Sequence, residues 1–244
     1  MNHSFFKLIM LCLAVTDHGF TADDPSSHEP SSGSSVSGEG DVYISQSVSS
    51  LYPALMAISA ETDHLILRRI IREDLNDEAI EYLFGIDLTD PMDSRSSPQP
   101  LPTAEGAYDV IQNLNLQDPL WGILDKKEGC LIGTIGLRTS RRFKQSLELG
   151  IELFPKARGK GYGSAAERAL FGCVKETVRN NPEWNLNFID ASINFDNVAS
   201  QKAAISAGMV RYDKATQTGE QPEPIEHIHE GDPICFYYLS LRDK

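Results

Sequence analysis

The sequence predicts an α+β domain whose mixed, mostly antiparallel sheet is flanked by helices. Three observations predict it. Strand-like and helix-like segments follow one another without the strict alternation of a doubly wound parallel sheet. Two apolar runs, 120–124 and 130–137, are joined by Asp125-Lys126-Lys127-Glu128-Gly129, which reads as a hairpin turn. Leu147, Leu149, Ile151 and Leu153 then alternate with Glu148, Gly150, Glu152 and Phe154, the period of a strand with one buried face.

At the amino terminus, residues 1–16 carry an apolar run from Phe5 to Val15 with Lys7 near its start. The run resembles a signal-peptide core and is too short to cross a bilayer as a helix. Its charged flank is thin, and Ala14-Val15-Thr16 is a poor cleavage site. Residues 17–60 are expected to be a low-complexity leader, rich in Ser, Gly, Pro, Asp and Glu as far as residue 50. Such a composition buries too little apolar surface to offset its ordering entropy. The stretch Leu51 to Ile58 is expected to form a helix or to pack on the edge of the domain that occupies 61–244.

Within that domain 65–70 reads as a strand. A helix over 73–84 follows, with Leu75, Ala79, Ile80 and Leu83 on one side and Asp74 or Asn76 as its cap. Pro91, Pro98, Pro100 and Pro102 make 85–103 a loop, and 104–116 is helical again. Pro155 stops the strand 147–154. A helix over 164–178, a strand over 188–195, a short helix over 198–207 and a last strand over 234–241 complete the order.

Composition excludes some functions. A formal charge of -13 argues against a nucleic-acid binder, which needs a basic face for phosphates. It fits a cationic substrate and fits plain solubility equally well. Cys12, Cys130, Cys173 and Cys235 are scattered, with neither a disulfide framework nor zinc-ligand spacing. Cys130 and Cys173 have apolar neighbours and read as small core residues. His227 and His229 lie in a Pro- and Glu-rich stretch and lack further ligands at metal spacing, so a solvated loop is the reading and no metal is expected. Trp121 and Trp184 read as core or edge residues.

The stretch that carries chemistry is 147–178. A strand ends at Pro155, and Arg158-Gly159-Lys160-Gly161-Tyr162-Gly163 leads straight into a helix. Glycine at every second position lets the backbone turn tightly and approach a ligand. The helix start offers free N–H groups and the positive end of its dipole, together a diphosphate site. Arg158 and Lys160 add charge, and Ser164 and Glu167 have capping-box spacing. A dinucleotide fingerprint needs GxGxxG in an early βαβ setting, and a nucleotide P-loop needs GxxxxGK[ST]; neither is met. A plain glycine-rich turn remains the bland alternative.

Arg158, Gly161 and Gly163 match the acetyl-CoA motif of the GNAT N-acetyltransferases, in which Arg or Gln, two residues, Gly, one residue and Gly or Ala follow one another. A second match runs from Asn197-Val198-Ala199-Ser200 to Ala207-Gly208-Met209. Residues 64–241 thus resemble this superfamily, most nearly the branch of ribosomal-protein N-terminal acetyltransferases. The resemblance implies a cleft where strands 147–154 and 188–195 splay apart. It implies acetyl-CoA as the acyl donor, held by Leu153, by Arg158, Gly159, Lys160, Gly161, Tyr162 and Gly163, and by Asn197 and Ser200. Asn197 and Ser200 are also strong helix caps, and the two roles are compatible.

The reaction implied is transfer of an acetyl group to a primary amine, of a protein N-terminus or a small molecule. A lysine amine spends about 4–5 kcal/mol to be neutral at pH 7 and an α-amine about 1 kcal/mol, so a modest base suffices for the latter. Glu148 and Glu152 share one face of their strand. Glu148 is the expected base by its match to an acidic position of the branch; the alternative is that both are solvated. Many family members carry a Tyr proton donor where this chain has Ala204. Ser200 is the expected substitute, ahead of Ser206, Tyr212 or water. Ala204 also leaves open an inert acetyl-CoA-binding sensor or scaffold. Loops 85–103 and 213–232 are expected to choose the acceptor, and Asp87, Asp90 and Asp93 favour a cationic one. The expected location is the cytoplasm, with secretion or delivery through the leader as the competing reading.

Overall fold

A computed structural model describes residues 51–85, 101–115, 118–212, 222–224 and 234–242. The segment 1–50, most of the loops 85–103 and 213–232, and with them Asp87, Asp90, Asp93, His227 and His229, lie outside the described residues. Among the described residues eight strands form one sheet in the order β1-β2-β3-β4-β5-β6-β8-β7. They are β1 (Ala60–Glu61), β2 (Leu65–Arg68), β3 (Leu120–Asp125), β4 (Leu131–Thr139), β5 (Ser146–Leu153), β6 (Phe188–Asn194), β7 (Val210–Arg211) and β8 (Ile234–Ser240). Besides a helical stretch at 51–56, the α-helices among the described residues are α1 (Asp77–Phe84), α2 (Ala104–Asn115), α3 (Tyr162–Asn180) and α4 (Val198–Ser206). The expected α+β architecture, a mixed and mostly antiparallel sheet flanked by helices, is the one found.

Among the described residues β5 and β6 are the one parallel pair, and their register explains the shape of the sheet. They share Ser146↔Phe188, Leu147↔Ile189 and Glu148↔Asp190 and no later position. Beyond that point β5 stays with β4 as far as Leu153, and β6 stays with β8 as far as Asn194. The two halves of the sheet therefore diverge from a vertex at Glu148 and Asp190.

The strand alternation sorts the core. Trp121, Ile123, Ile135, Leu137, Leu147, Leu149 and Ile189 fall on one face and join Leu170, Phe171, Val174 and Val178 of α3 in the main cluster. Residues 51–56 are helical, and Leu51, Leu55 and Ile58 belong to this cluster. The buried Trp121 indole donates to the Ile58 carbonyl at 3.1 Å. On the other face α1 and α2 pack with Leu120, Leu124 and Leu131, while Phe143, Tyr212 and Phe236 form a third cluster.

Several boundaries differ from the sequence reading. The helix expected over 73–84 is split into a 3-10 turn at Arg72–Asp74 and α1. Asp74 takes two hydrogen bonds from Arg68 and one from the Ile71 amide, which ties it to the turn. Asn76 therefore caps α1, accepting from the Ala79 amide at 2.9 Å. α3 begins at Tyr162, two residues early, with Gly161 as its N-cap. Ser164 is thus inside the first turn, where its hydroxyl donates to the Gly161 carbonyl, and Glu167 is buried; the expected capping box is absent. Cys130 and Cys173, expected in the core, are half-buried, whereas Cys235 is buried. Strands β1 and β7 span two residues each, too short for any period to reveal. Among the described residues no helix is long and apolar enough to cross a membrane.

Gly133 on β4 sits against the end of β5. A Cβ there would overlap the Glu152 carbonyl oxygen and press on Leu153. Gly133→Ala is expected to lower stability by about 1–3 kcal/mol, since the obstacle is backbone and cannot turn aside. Urea unfolding midpoints of the two proteins check this.

Candidate functional site

The loop that follows β5 is built by proline and glycine. Pro155 opens a 3-10 turn over Pro155–Ala157, and Gly159 and Gly161 take φ of 74° and 79°. Those angles lie in the left-handed region that side chains with a Cβ resist. The chain then enters α3, whose first N–H groups have no partner within the helix. Gly159, Lys160 and Gly161 are exposed, and Tyr162 and Gly163 are half-buried.

Side chains fasten this loop to the sheet. Arg158 Nε donates to the Leu153 carbonyl at 2.9 Å and Arg158 Nη2 to the Tyr82 hydroxyl at 2.7 Å. The Tyr82 hydroxyl donates to Glu152 Oε1 at 2.7 Å, and its ring lies 4.3 Å from that of Phe154. Burial and the Glu152 charge push the Tyr82 phenol well above its ordinary range. The Tyr162 hydroxyl donates to Asp125 Oδ2 at 3.1 Å, which raises the Tyr162 pKa and ties the helix start to the β3–β4 turn. Arg158 thus anchors the loop, while Lys160 is exposed beside it.

The second motif meets the first at Gly163. Asn197 accepts from the Ser200 amide at 3.2 Å and caps α4. A Cβ placed on Gly163 would lie 3.7 Å from Leu153 Cδ1, 3.9 Å from Ala203 Cβ and 4.0 Å from Ile151 Cδ1. The end of β5, the start of α3 and the middle of α4 therefore converge on that glycine, at the wide end of the splay. Leu153, Gly163 and the Asn197-capped helix are brought together, with Asn197 and Ser200 in its first turn.

At the narrow end the residues are polar. Glu148 is 8% exposed and pairs with Arg138, its register partner on β4, through Nη2 at 2.6 Å and Nε at 2.8 Å. Glu148 is thus neither solvated nor unpartnered. Glu152, on the same face, is bound to Tyr82. Across the vertex Asp190 is wholly buried; Ser146 Oγ donates to its Oδ1 at 2.5 Å, Ser140 bonds it as well, and Oδ2 has no partner among the described residues. Burial is the largest cause lifting its pKa to about 7, the Glu148 charge adds to it, and the serine bonds and Arg138 oppose it.

The other candidate proton donors stand as follows. Ala204 is buried at 1% exposure. Ser206 Oγ accepts from Arg168 at 3.3 Å, and Tyr212 stacks 5.2 Å from Phe143. Ser200 is half-buried in the first turn of α4.

Sequence reasoning missed Arg138, Tyr82 and Asp190. A lone carboxylate inside the apolar run Phe188-Ile189-Asp190-Ala191 was a readable signal for Asp190. Arg138 and Tyr82 gave none, because their roles depend on strand register and on a contact 70 or more residues away.

The sequence profile of the Acetyltransferase (GNAT) domain matches residues 64–210. Among solved structures, the ribosomal-protein-S5-alanine acetyltransferase of Vibrio fischeri is 20% identical, with 76% of this chain and 98% of that one covered and a TM-score of 0.48. A GNAT-family acetyltransferase of Bacillus anthracis is 18% identical, covering 75% and 99% at a TM-score of 0.44. An acetyltransferase of Agrobacterium tumefaciens is 22% identical, covering 75% and 94% at a TM-score of 0.47. No curated protein matches.

Proposed function

This chain belongs to the GNAT acetyltransferase family, and on that premise we propose that it moves an acetyl group from acetyl-CoA directly to a primary amine, of a protein N-terminus or a small molecule. The observation that carries the reading is the convergence at Gly163. The glycine loop, the end of β5 and the Asn197-capped helix meet where the two halves of the sheet diverge.

The residues fit such an acyl donor. Amides of Gly159 to Gly163, at a helix start, would hold its diphosphate, with Lys160 adding charge. Arg158 would keep the loop in place through Leu153 and Tyr82. Leu153, Asn197 and Ser200 would flank the rest of the donor. The donor supplies a thioester carbonyl as electrophile. Glu148, held in place by Arg138, would take the amine's proton, and Ser200 would serve the leaving sulfur. The acceptor is a cationic amine rather than a nucleic acid, in keeping with the acidic chain.

A second reading, a sensor that binds acetyl-CoA without turnover, is favoured by the buried Ala204, which carries no proton. Thiol release with amine acceptors separates the two.

Calorimetric titration of acetyl-CoA into the full-length protein is the test, beside Gly161→Glu. A Cβ at φ 79° costs about 1–2 kcal/mol, and the added carboxylate repels phosphate. Binding is expected to weaken about tenfold to a hundredfold in the variant. A folded wild-type protein that does not bind acetyl-CoA would sink the reading.

A further inference from the structure

Glu148 and Asp190 are partners in the last shared position of β5 and β6, and paired residues of neighbouring strands project on one face about 5 Å apart. The pair is deeply buried. Arg138 stands against it and gives two bonds to Glu148. Ser146 donates to Asp190 Oδ1 and Ser140 also favours its charged form, while its buried Oδ2 has no partner among the described residues. A buried carboxylate with one bare oxygen is costly, as are two like charges at this distance. Such a pair takes up its first proton readily and its second reluctantly.

We propose that Asp190 and Glu148 act as one carboxylate dyad, and that the dyad rather than Glu148 alone receives the proton released by the acceptor amine. This rests on the acetyltransferase reading. The amine nitrogen forms its bond to the thioester carbon and loses a proton to Glu148. The carbon–sulfur bond breaks with its electron pair on sulfur, which takes a proton from the Ser200 hydroxyl, and Ser200 is reprotonated by water. The proton on Glu148 settles on Asp190 and returns to solvent before the next turnover. Asp190 touches neither substrate; it is a positioning residue that acts through Glu148.

The groups facing Asp190 are Ser146 and Glu148 from β5, Arg138 from β4, Ser140 from the loop between them and Tyr238 at the opposed position of β8. Asp118 lies within the field of Arg138, Arg141 and Glu148. Above the Asp190 pKa of about 7 the dyad is empty and ready. Below it the dyad already holds a proton and is a poor base. This suits an α-amine, about half of which is neutral near pH 8.

Carboxyl carbon NMR of the full-length protein tests the dyad without an acceptor. Asp190, assigned by its loss in Asp190→Asn, is expected to titrate near neutral pH and to move to lower pH in Glu148→Gln, where the neighbouring charge is gone. An Asp190 titration that Glu148→Gln leaves in place overturns the dyad. Kinetics with acetyl-CoA and two amine probes, spermidine and a peptide with N-terminal Ala, give the second arm. In Asp190→Asn the fall of kcat on the acid side of neutrality should vanish, kcat at pH 8 should drop about tenfold to a hundredfold, and KM for acetyl-CoA should hold within twofold. In Ser146→Ala that fall should persist but shift to higher pH, because a bond favouring the charged form is lost. A purely structural Asp190 would leave the pH profile unchanged in shape, and that outcome also overturns the proposal. Failure of the wild-type protein to bind acetyl-CoA would instead strike the acetyltransferase reading, while the NMR result stands on its own.

Discussion

Glu148→Gln is expected to slow acetyl transfer by about 10²–10⁴-fold, the usual worth of a positioned proton acceptor, while acetyl-CoA affinity stays within about twofold. Glutamine keeps the shape and removes the charge. The change also removes the charge that Arg138 pairs with, and losing a hydrogen bond between charged groups costs about 1.5–3 kcal/mol. Stability must therefore be read beside rate. The unfolding midpoint gives the folded fraction at the assay temperature, and kcat corrected for that fraction is the number that decides. A corrected kcat within threefold of wild type would take Glu148 out of the reaction and leave it a strut.

Glu167→Leu is expected to make the protein more stable above neutral pH and to change little in acid. Glu167 lies in α3 at 2% exposure, its Oε2 has no partner among the described residues, and burial lifts its pKa from 4.5 to about 8, with Arg168 opposing. The folded chain holds this proton more tightly than the unfolded one does. Stability from it is therefore full below about pH 4.5 and is lost as pH rises to about 8. At about 1.4 kcal/mol for each pH unit between those values the loss approaches 4–5 kcal/mol. Asp190 pulls in the same direction, so the comparison is between wild type and variant at each pH. Urea midpoints at pH 5 and pH 8.5 measure it. Equal falls in both proteins would show that Glu167 finds an unseen partner.

Much of this was legible in the sequence, for physical reasons that differ by element. The alternation of 147–154 announced β5 because one of its faces is core and the other is not. The glycine spacing of 158–163 announced the loop because only glycine takes positive φ cheaply, and Gly159 and Gly161 do so. The capping box at Ser164 failed because Gly161 ended the loop earlier than an acid-and-hydroxyl pattern suggests. Glu167 was free to face inward, where its apolar neighbours bury it. The environment of Glu148 was out of reach. Its place in the strand was plain, but Arg138 and Asp190 reach it through two different registers, one antiparallel and one parallel. Register is a property of the assembled sheet.

The divergence of β5 from β6 gives the sheet more edges than its strand order suggests. An exposed edge is a template on which other chains aggregate. The outer two end in β1 and β7, strands of two residues that offer a visitor almost nothing to zip along. The inner two, along 149–153 and 191–194, close onto a shared ladder at Glu148 and Asp190. A stray strand needs length to dock, and that taper denies it. A slender molecule entering tip first needs none. The same opening that would admit a substrate thus discriminates against misassembly by geometry alone.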